Sequence, residues 1–199
     1  MSIARLGARA LIGGLFIGHG TQKLFGWFGG PGRAGTEAMM ESIDMRPARV
    51  HAVLAGVTET AGGGLLAAGL ASPLASAALT GVMTTAIKKV HLPHGPWAAQ
   101  GGWEYNAVLI GALAALTEAG PGKLSLDHLL GIERRGTRWA LAALGTGVAT
   151  AFATMALGRR GGQAPPAQNS SAAESVDTDN AGRPGMELGA TAEADSATA

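Results

Sequence analysis

Three polar residues within long apolar segments are the first candidates for chemistry. His19 and Lys23 lie four residues apart, so a helix would present both on one face. Glu59 lies inside a second apolar segment. A charged group in a membrane-spanning helix costs about 2.5–3.5 kcal/mol on insertion scales. Each of these residues is therefore expected to have a partner or a function.

The depths of the three residues predict that they meet. Segments 10–28 and 50–71 are joined by a loop, so residues 28 and 50 lie at the same membrane face. At about 1.5 Å per residue, His19 and Glu59 each lie about 13 Å below that face, and Lys23 about 7 Å. Glu59 is then within reach of either partner. A structural ion pair with Lys23 and a proton-transfer or ligand-binding role both require this contact, and both interpretations stay open.

More polar residues gather at the same face, which we expect to be the mouth of a helical bundle. The candidates for this mouth are His51, Lys88, His91, His94 and Glu104. Such a mouth is where a ligand site is expected. Lys88 and Lys89 also fit simple snorkelling to the membrane interface. His91 and His94 are not at helical spacing and lack a third ligand, so no metal site is predicted.

Five apolar segments must position these groups. Each has about 17–22 residues, close to the roughly 20 that cross a bilayer as a helix; they are 10–28, 50–71, 73–90, 103–119 and 137–158. Small residues allow close helix packing, for which Gly14-x-x-x-Gly18 and Gly62–Gly64 are candidates. The segments show little polar face, which disfavours a soluble helical bundle. The sequence therefore predicts an all-α transmembrane protein.

Composition excludes several functions. Only 15% of the 199 residues are charged, the net charge is +1, and no basic stripe suggests a nucleic-acid partner. The absence of cysteine excludes disulfides and thiolate metal sites. No phosphate-binding loop, dinucleotide motif or nucleophile elbow is present. The residues alone leave open whether the protein is an enzyme.

Both ends of the chain carry topological information. Arg5 and Arg9 precede the first segment and favour a cytoplasmic N-terminus. Five spans would then place the C-terminus outside. Residues 161–199 are rich in Ala, Ser, Gly, Pro and acidic residues, a composition typical of a disordered tail.

Several weak motifs follow one another over residues 5–131. They are RALIGGLFIGHGTQKLFGWFGG, ETAGGGLLAAGLASPLASAAL, MTTAIKKVHLPHG, GGWEYNAVL and GPGKLSLDHLLG. Their order resembles the DoxX family of small bacterial membrane proteins. The resemblance implies a four-helix membrane bundle, with links to quinone-dependent or thiol-related redox complexes. It places the family's recurring polar and glycine positions at His19, Gly20, Lys23, Glu59, Gly63, Lys88, His91, Glu104 and Asp127.

The resemblance also implies a division of the chain. We expect a DoxX-like transmembrane four-helix domain in residues 1–131, an additional transmembrane helix in 132–160 and a disordered acidic tail in 161–199. The fifth helix and the tail depart from the family's four-helix pattern.

The implied function is that of an accessory subunit of a membrane redox complex. The protein would be a multi-pass protein of the bacterial inner membrane, in contact with lipid and with membrane redox partners. His19, Lys23 and Glu59 would hold a quinone head group or relay a proton, while a partner supplies electrons. The substrate is not specified. The alternative is a non-catalytic scaffold or small-molecule permeability component, in which the polar cluster only fixes helix packing.

Overall fold

The chain folds into helices. The computed structural model describes residues 3–160, which contain no strand. The helices are α1 (Ile3–Phe25), α2 (Gly32–Ser42), α3 (Ala48–Ala68), α4 (Ser72–Ala86), α5 (Glu104–Ala119), α6 (Leu126–Leu129) and α7 (Thr137–Arg160). The prediction of an all-α protein is confirmed for this range. The predicted tail, residues 161–199, lies outside the described residues.

The long helices α1, α3, α4, α5 and α7 coincide with the five predicted apolar segments. Helix α2 occupies a stretch predicted to be a loop. Its sequence, GRAGTEAMMES, has no long apolar run, which is why hydropathy alone misses it. Thr36 is fully buried, and its hydroxyl lies within hydrogen-bond distance of the Gly32 and Lys23 carbonyl oxygens, at 2.7 and 3.3 Å. These contacts tie α2 to the end of α1.

Within residues 3–160, one helix, Thr137–Arg160, is both long and apolar enough to cross a membrane. Only 28% of its most apolar 18-residue stretch is buried. Helices α4 and α5 have 15 and 16 residues, fewer than the roughly 20 of a typical span. The longer α1 and α3 include arginine, histidine and charged residues that lower their hydropathy.

Glycines make the contact between α1 and α3. A Cβ atom added to Gly63 would lie 2.6 Å from the Gly13 carbonyl oxygen, and one added to Gly20 would lie 2.6 Å from the Gly56 carbonyl oxygen. From the first pair to the second, the residue number rises along α1 and falls along α3, so the two helices are antiparallel. The prediction that Gly14 and Gly18 serve close packing is wrong within residues 3–160. Both point to open space, because Gly14 is turned about 100° from Gly13 and Gly18 about 200° from Gly20, the two glycines that face α3.

Helix α4 runs through the middle of the bundle. Its Ser76 hydroxyl accepts a hydrogen bond of 2.7 Å from Thr117 on α5. On another side it meets α7, where a Cβ atom on Gly147 would lie 2.6 Å from the Ala77 carbonyl oxygen. Helix α7 is thus packed closely against α4.

A buried arginine links the two halves of the chain at the end of the bundle where α1 begins. Arg9 is only 2% exposed, and its guanidinium donates hydrogen bonds to the carbonyl oxygens of Pro121 and Leu124, the latter at 2.7 Å. From the sequence, Arg9 is expected only to influence membrane topology. The structure gives it a packing role that joins α1 to the segment after α5.

A buried carboxylate caps α4 at the same end. Asp127 is 1% exposed and accepts hydrogen bonds from the Ala71 amide at 2.8 Å, the Ser72 amide at 3.1 Å and the Ser72 hydroxyl at 3.0 Å. The first amides of a helix lack intrahelical partners, so this side chain satisfies them from 55 residues away. Asp127 therefore fixes where α4 starts.

Candidate functional site

The bundle contains a large, mainly apolar cavity. Its volume is about 840 Å³, and α1, α2, α3, α4, α5 and α7 all contribute to its wall. Cavities of about 300–1,000 Å³ accommodate drug-sized ligands. Its ionisable and amide side chains are His19, Lys23, His51, Glu59, His91, Tyr105 and Asn106. Four methionines, whose flexible side chains adapt to ligand shape, complete much of the apolar wall: Met39, Met40, Met45 and Met83.

An ion pair forms part of this wall. Lys23 Nζ lies 2.6 Å from Glu59 Oε2, and the two side chains are 20% and 3% exposed. The contact between α1 and α3 predicted from helix depth is therefore present. Gly20 lets the helices come close enough for it, because its backbone lies directly against Gly56 and Thr60. His19 lines the cavity one turn before Lys23.

The predicted mouth residues separate into two groups. His51 and His91 line the cavity, and His51 is 8% exposed. His91 Nδ1 donates a hydrogen bond of 2.7 Å to the Gly101 carbonyl oxygen. Two of the five predicted residues, His51 and His91, thus contribute imidazoles to the cavity wall.

The other three predicted mouth residues, Lys88, His94 and Glu104, are not part of the cavity wall formed by residues 3–160. His94 Nδ1 donates to the Val90 carbonyl oxygen at 3.0 Å, and Glu104 Oε1 accepts from the Ala98 amide at 2.7 Å. Lys88 is exposed. His94 and Glu104 therefore organise the connection between α4 and α5 instead of facing a ligand.

A π-helical turn, Ile87–His91, ends α4 beside the cavity. Such turns often occur at functional sites. Within it, Lys89 Nζ donates a hydrogen bond of 2.7 Å to the Ile43 carbonyl oxygen, just after α2. The sequence predicts snorkelling for Lys89, whereas the structure shows it joining two of the segments that border the cavity.

Asn106, in the first turn of α5, is a cavity residue that was not predicted from the sequence. It is 6% exposed and lines the cavity, and its Nδ2 lies 3.3 Å from the Met83 sulfur. The signal was available, because Asn106 is an amide residue at the start of an apolar run, in EYNAVLIGALAALTEA.

Comparison with protein-family models gives one relationship. The model described as DoxX matches residues 4–92, which include α1 to α4 and the histidine at the end of the π-helical turn. Residues 4–92 are a DoxX domain. The family predicted from the order of the motifs is thereby confirmed. Comparisons with curated proteins and with solved structures gave no match.

DoxX is a family of membrane proteins, and the chain carries its domain in the half that holds the ion pair. His19, Lys23, His51, Glu59 and His91 all lie in the DoxX domain. Helices α5 and α7 follow the matched residues and line the cavity with further side chains. Residues 4–92 supply the charged side chains of the wall, and α5 and α7 supply further lining residues.

Proposed function

We propose that this DoxX protein binds a small lipid-soluble ligand in its cavity and acts as an accessory subunit of a membrane redox complex. The single observation that carries this proposal is the Lys23–Glu59 ion pair in the wall of a largely apolar cavity of about 840 Å³. An apolar enclosure with a few fixed polar groups favours a ligand with an apolar body and a polar head.

The membrane arrangement is part of this proposal. Many large apolar side chains of the long helices are exposed and lie outside the cavity wall, as contact with lipid requires: Leu11, Val57, Leu74, Val108, Leu141, Phe152 and Leu157. We propose that all five long helices cross a bacterial plasma membrane, with a DoxX-like four-helix domain in residues 1–131 followed by α7 as a fifth span. Reporter fusions after Gly122 and Ala199 would test this arrangement, which requires the two positions to lie on opposite sides of the membrane.

A quinone head group fits the residues of the cavity. The Lys23 ammonium offers hydrogen-bond donors that a carbonyl oxygen accepts, and charge-assisted bonds of this kind are stronger than neutral ones. Glu59 holds that ammonium in place at 2.6 Å. When bound, a quinone would supply two-electron, two-proton chemistry. Lys23, Glu59 and His19 would position its head group and hold or pass protons, and a partner protein would supply the electrons.

Ligand binding by matched variants tests the proposal. The full chain in nanodiscs should bind 2-decyl-1,4-benzoquinone, and the Lys23→Met/Glu59→Leu double variant should bind it about tenfold more weakly, because a charge-assisted bond is lost. The double variant is chosen because it removes both charges together and should remain folded. Absence of binding by the wild-type protein would refute the proposal.

The same variant separates the proposal from a purely structural role. A direct contact of 2.6 Å is what an ion pair that only fixes helix packing would also show. In that case the double variant would fold and bind the quinone as well as the wild type does. A folded double variant with weakened binding supports a ligand site instead.

A further inference from the structure

Asn106 faces the same cavity as the ion pair, from another helix. It is 6% exposed, and the bond between its Nδ2 and the Met83 sulfur is its side chain's one hydrogen bond within residues 3–160. Thioether sulfur is a weak acceptor. The side-chain amide of Asn106 is therefore a buried polar group with unused hydrogen-bonding capacity beside an apolar space.

The packing of α4 sets the height of Asn106 relative to Glu59. Leu79 of α4 sits against Gly62 of α3, where an added Cβ atom would lie 2.9 Å from its Cδ2. Glu59 is three residues from Gly62, a rise of about 4.5 Å. Because α3 and α4 are antiparallel, a rise of about 4.5 Å along α4 from Leu79 leads to Val82, the residue before Met83. Met83 is the contact of Asn106. Glu59 and the Met83 backbone thus lie within about 2 Å of the same height along the bundle, and Asn106 contacts the Met83 side chain.

We infer that Asn106 is the second polar contact of the ligand and selects a ring with oxygens at opposite edges, as in a 1,4-benzoquinone. This inference rests on the function proposed above. Lys23, held by Glu59, would donate to one oxygen, and Asn106 to the other. An amide suits both redox forms of such a ring, because its NH₂ donates to a carbonyl and its oxygen accepts from a hydroxyl. A ligand with one ring oxygen would use the charged end of the cavity alone, since charge-assisted bonds are the stronger ones.

Two probes and one variant test the inference. 2-Decyl-1,4-benzoquinone carries both oxygens, and 2-decylphenol carries only the one next to the alkyl chain. Asn106→Leu keeps the side-chain size and should weaken benzoquinone binding about fivefold in nanodiscs while leaving 2-decylphenol binding unchanged. Thr117→Val is the matched control, because Thr117 is a buried polar residue of the same helix that is not in the cavity wall. It should change the affinity for neither probe.

Infrared spectroscopy of the wild-type protein provides a test that needs no variant. With ¹³C at one carbonyl or the other, both carbonyl bands of the bound benzoquinone should shift to lower frequency, as hydrogen-bonded carbonyls do. If one carbonyl band does not shift, or if Asn106→Leu weakens the binding of both probes equally, the role of Asn106 is refuted. The proposed function would not be affected by either result. If the wild-type protein binds neither probe, both the inference and the proposed function fail.

Discussion

Lys23 on α1 and Glu59 on α3 meet at 2.6 Å between two helices that pack through glycine. A lysine at the cavity wall is held by a carboxylate that is 3% exposed. Neither charge has the solvation it would have in water, so each depends on the other. Both the stability of the bundle and the proposed binding of ligand follow from this dependence.

Removing one member of the pair should destabilise the protein more than removing both. Glu59→Leu leaves the ammonium without its partner and should lower the free energy of unfolding by about 3 kcal/mol, while Lys23→Met/Glu59→Leu should stay within about 1 kcal/mol of the wild type. Unfolding in mixed micelles, followed by circular dichroism, measures both. Arg46→Met, in an exposed pair with Asp44 at 3.5 Å, should cost less than about 0.5 kcal/mol. A double variant as unstable as the single one would contradict the pairing.

Two adjacent glycines of α3 should respond in opposite ways to alanine. Gly63→Ala would place a methyl group 2.6 Å from the Gly13 carbonyl oxygen, and the resulting separation of α1 and α3 should cost about 1–3 kcal/mol. Gly64→Ala meets nothing within 4 Å and should be neutral or stabilising by up to about 1 kcal/mol, since alanine favours the helix. Thermal unfolding of the two variants under identical conditions checks the contrast. Equal effects would mean that α1 and α3 do not meet at Gly63.

Arg9 should be essential for joining α1 to the segment after α5. Arg9→Met removes the hydrogen bonds to the Pro121 and Leu124 carbonyl oxygens and leaves the buried Pro121 acceptor without a partner, so stability should fall by about 2–3 kcal/mol. Limited proteolysis should then cut near residue 123 faster than in the wild type. Arg33→Met, at an exposed position of α2, is the control and should be cut by the protease at the wild-type rate. Unchanged proteolysis in Arg9→Met would show that this link is dispensable.

Asp127 should control the order of the first turn of α4. Asp127→Asn removes the charge that accepts from the Ala71 and Ser72 amides, and should cost about 1–2 kcal/mol. Hydrogen exchange should quicken at these amides and stay unchanged near Met83, at the far end of the helix. Glu133→Gln, in an exposed pair with His128 at 3.1 Å, is a matched carboxylate control without an expected effect on α4.

The contact of Lys23 with Glu59 was predictable from sequence because it depends on simple helical rise. Two helices joined by a connection start from one face, and counting residues gives each side chain its depth. The five long helices were predictable for a similar reason, since each apolar run continues for four or more turns. These features depend on helical rise and on the direct connection between consecutive helices.

The other parts of the site depend on tertiary packing. Arg9, Asn106 and Asp127 each act on residues more than 20 positions away in the chain, which no local pattern reveals. The packing contacts of individual glycines could not be predicted from local sequence either. The sequence indicates that α1 has a glycine-rich face, but only packing shows that Gly13 and Gly20 meet α3 while Gly14 points to open space. The expectation that His94 and Glu104 face a ligand missed their bonds to nearby backbone.

Mass spectrometry of the native protein tests most directly whether the cavity beside Lys23 and Glu59 holds a lipid-soluble ligand. The full chain would be extracted gently from its own membrane, together with Ala78→Phe, which fills the cavity, and Val57→Phe, which adds the same bulk on an exposed face. We expect a quinone-class molecule on the wild type and on Val57→Phe, and none on Ala78→Phe. A wild-type protein that carries no lipid-soluble molecule, or equal retention by all three, would contradict a ligand site in the bundle.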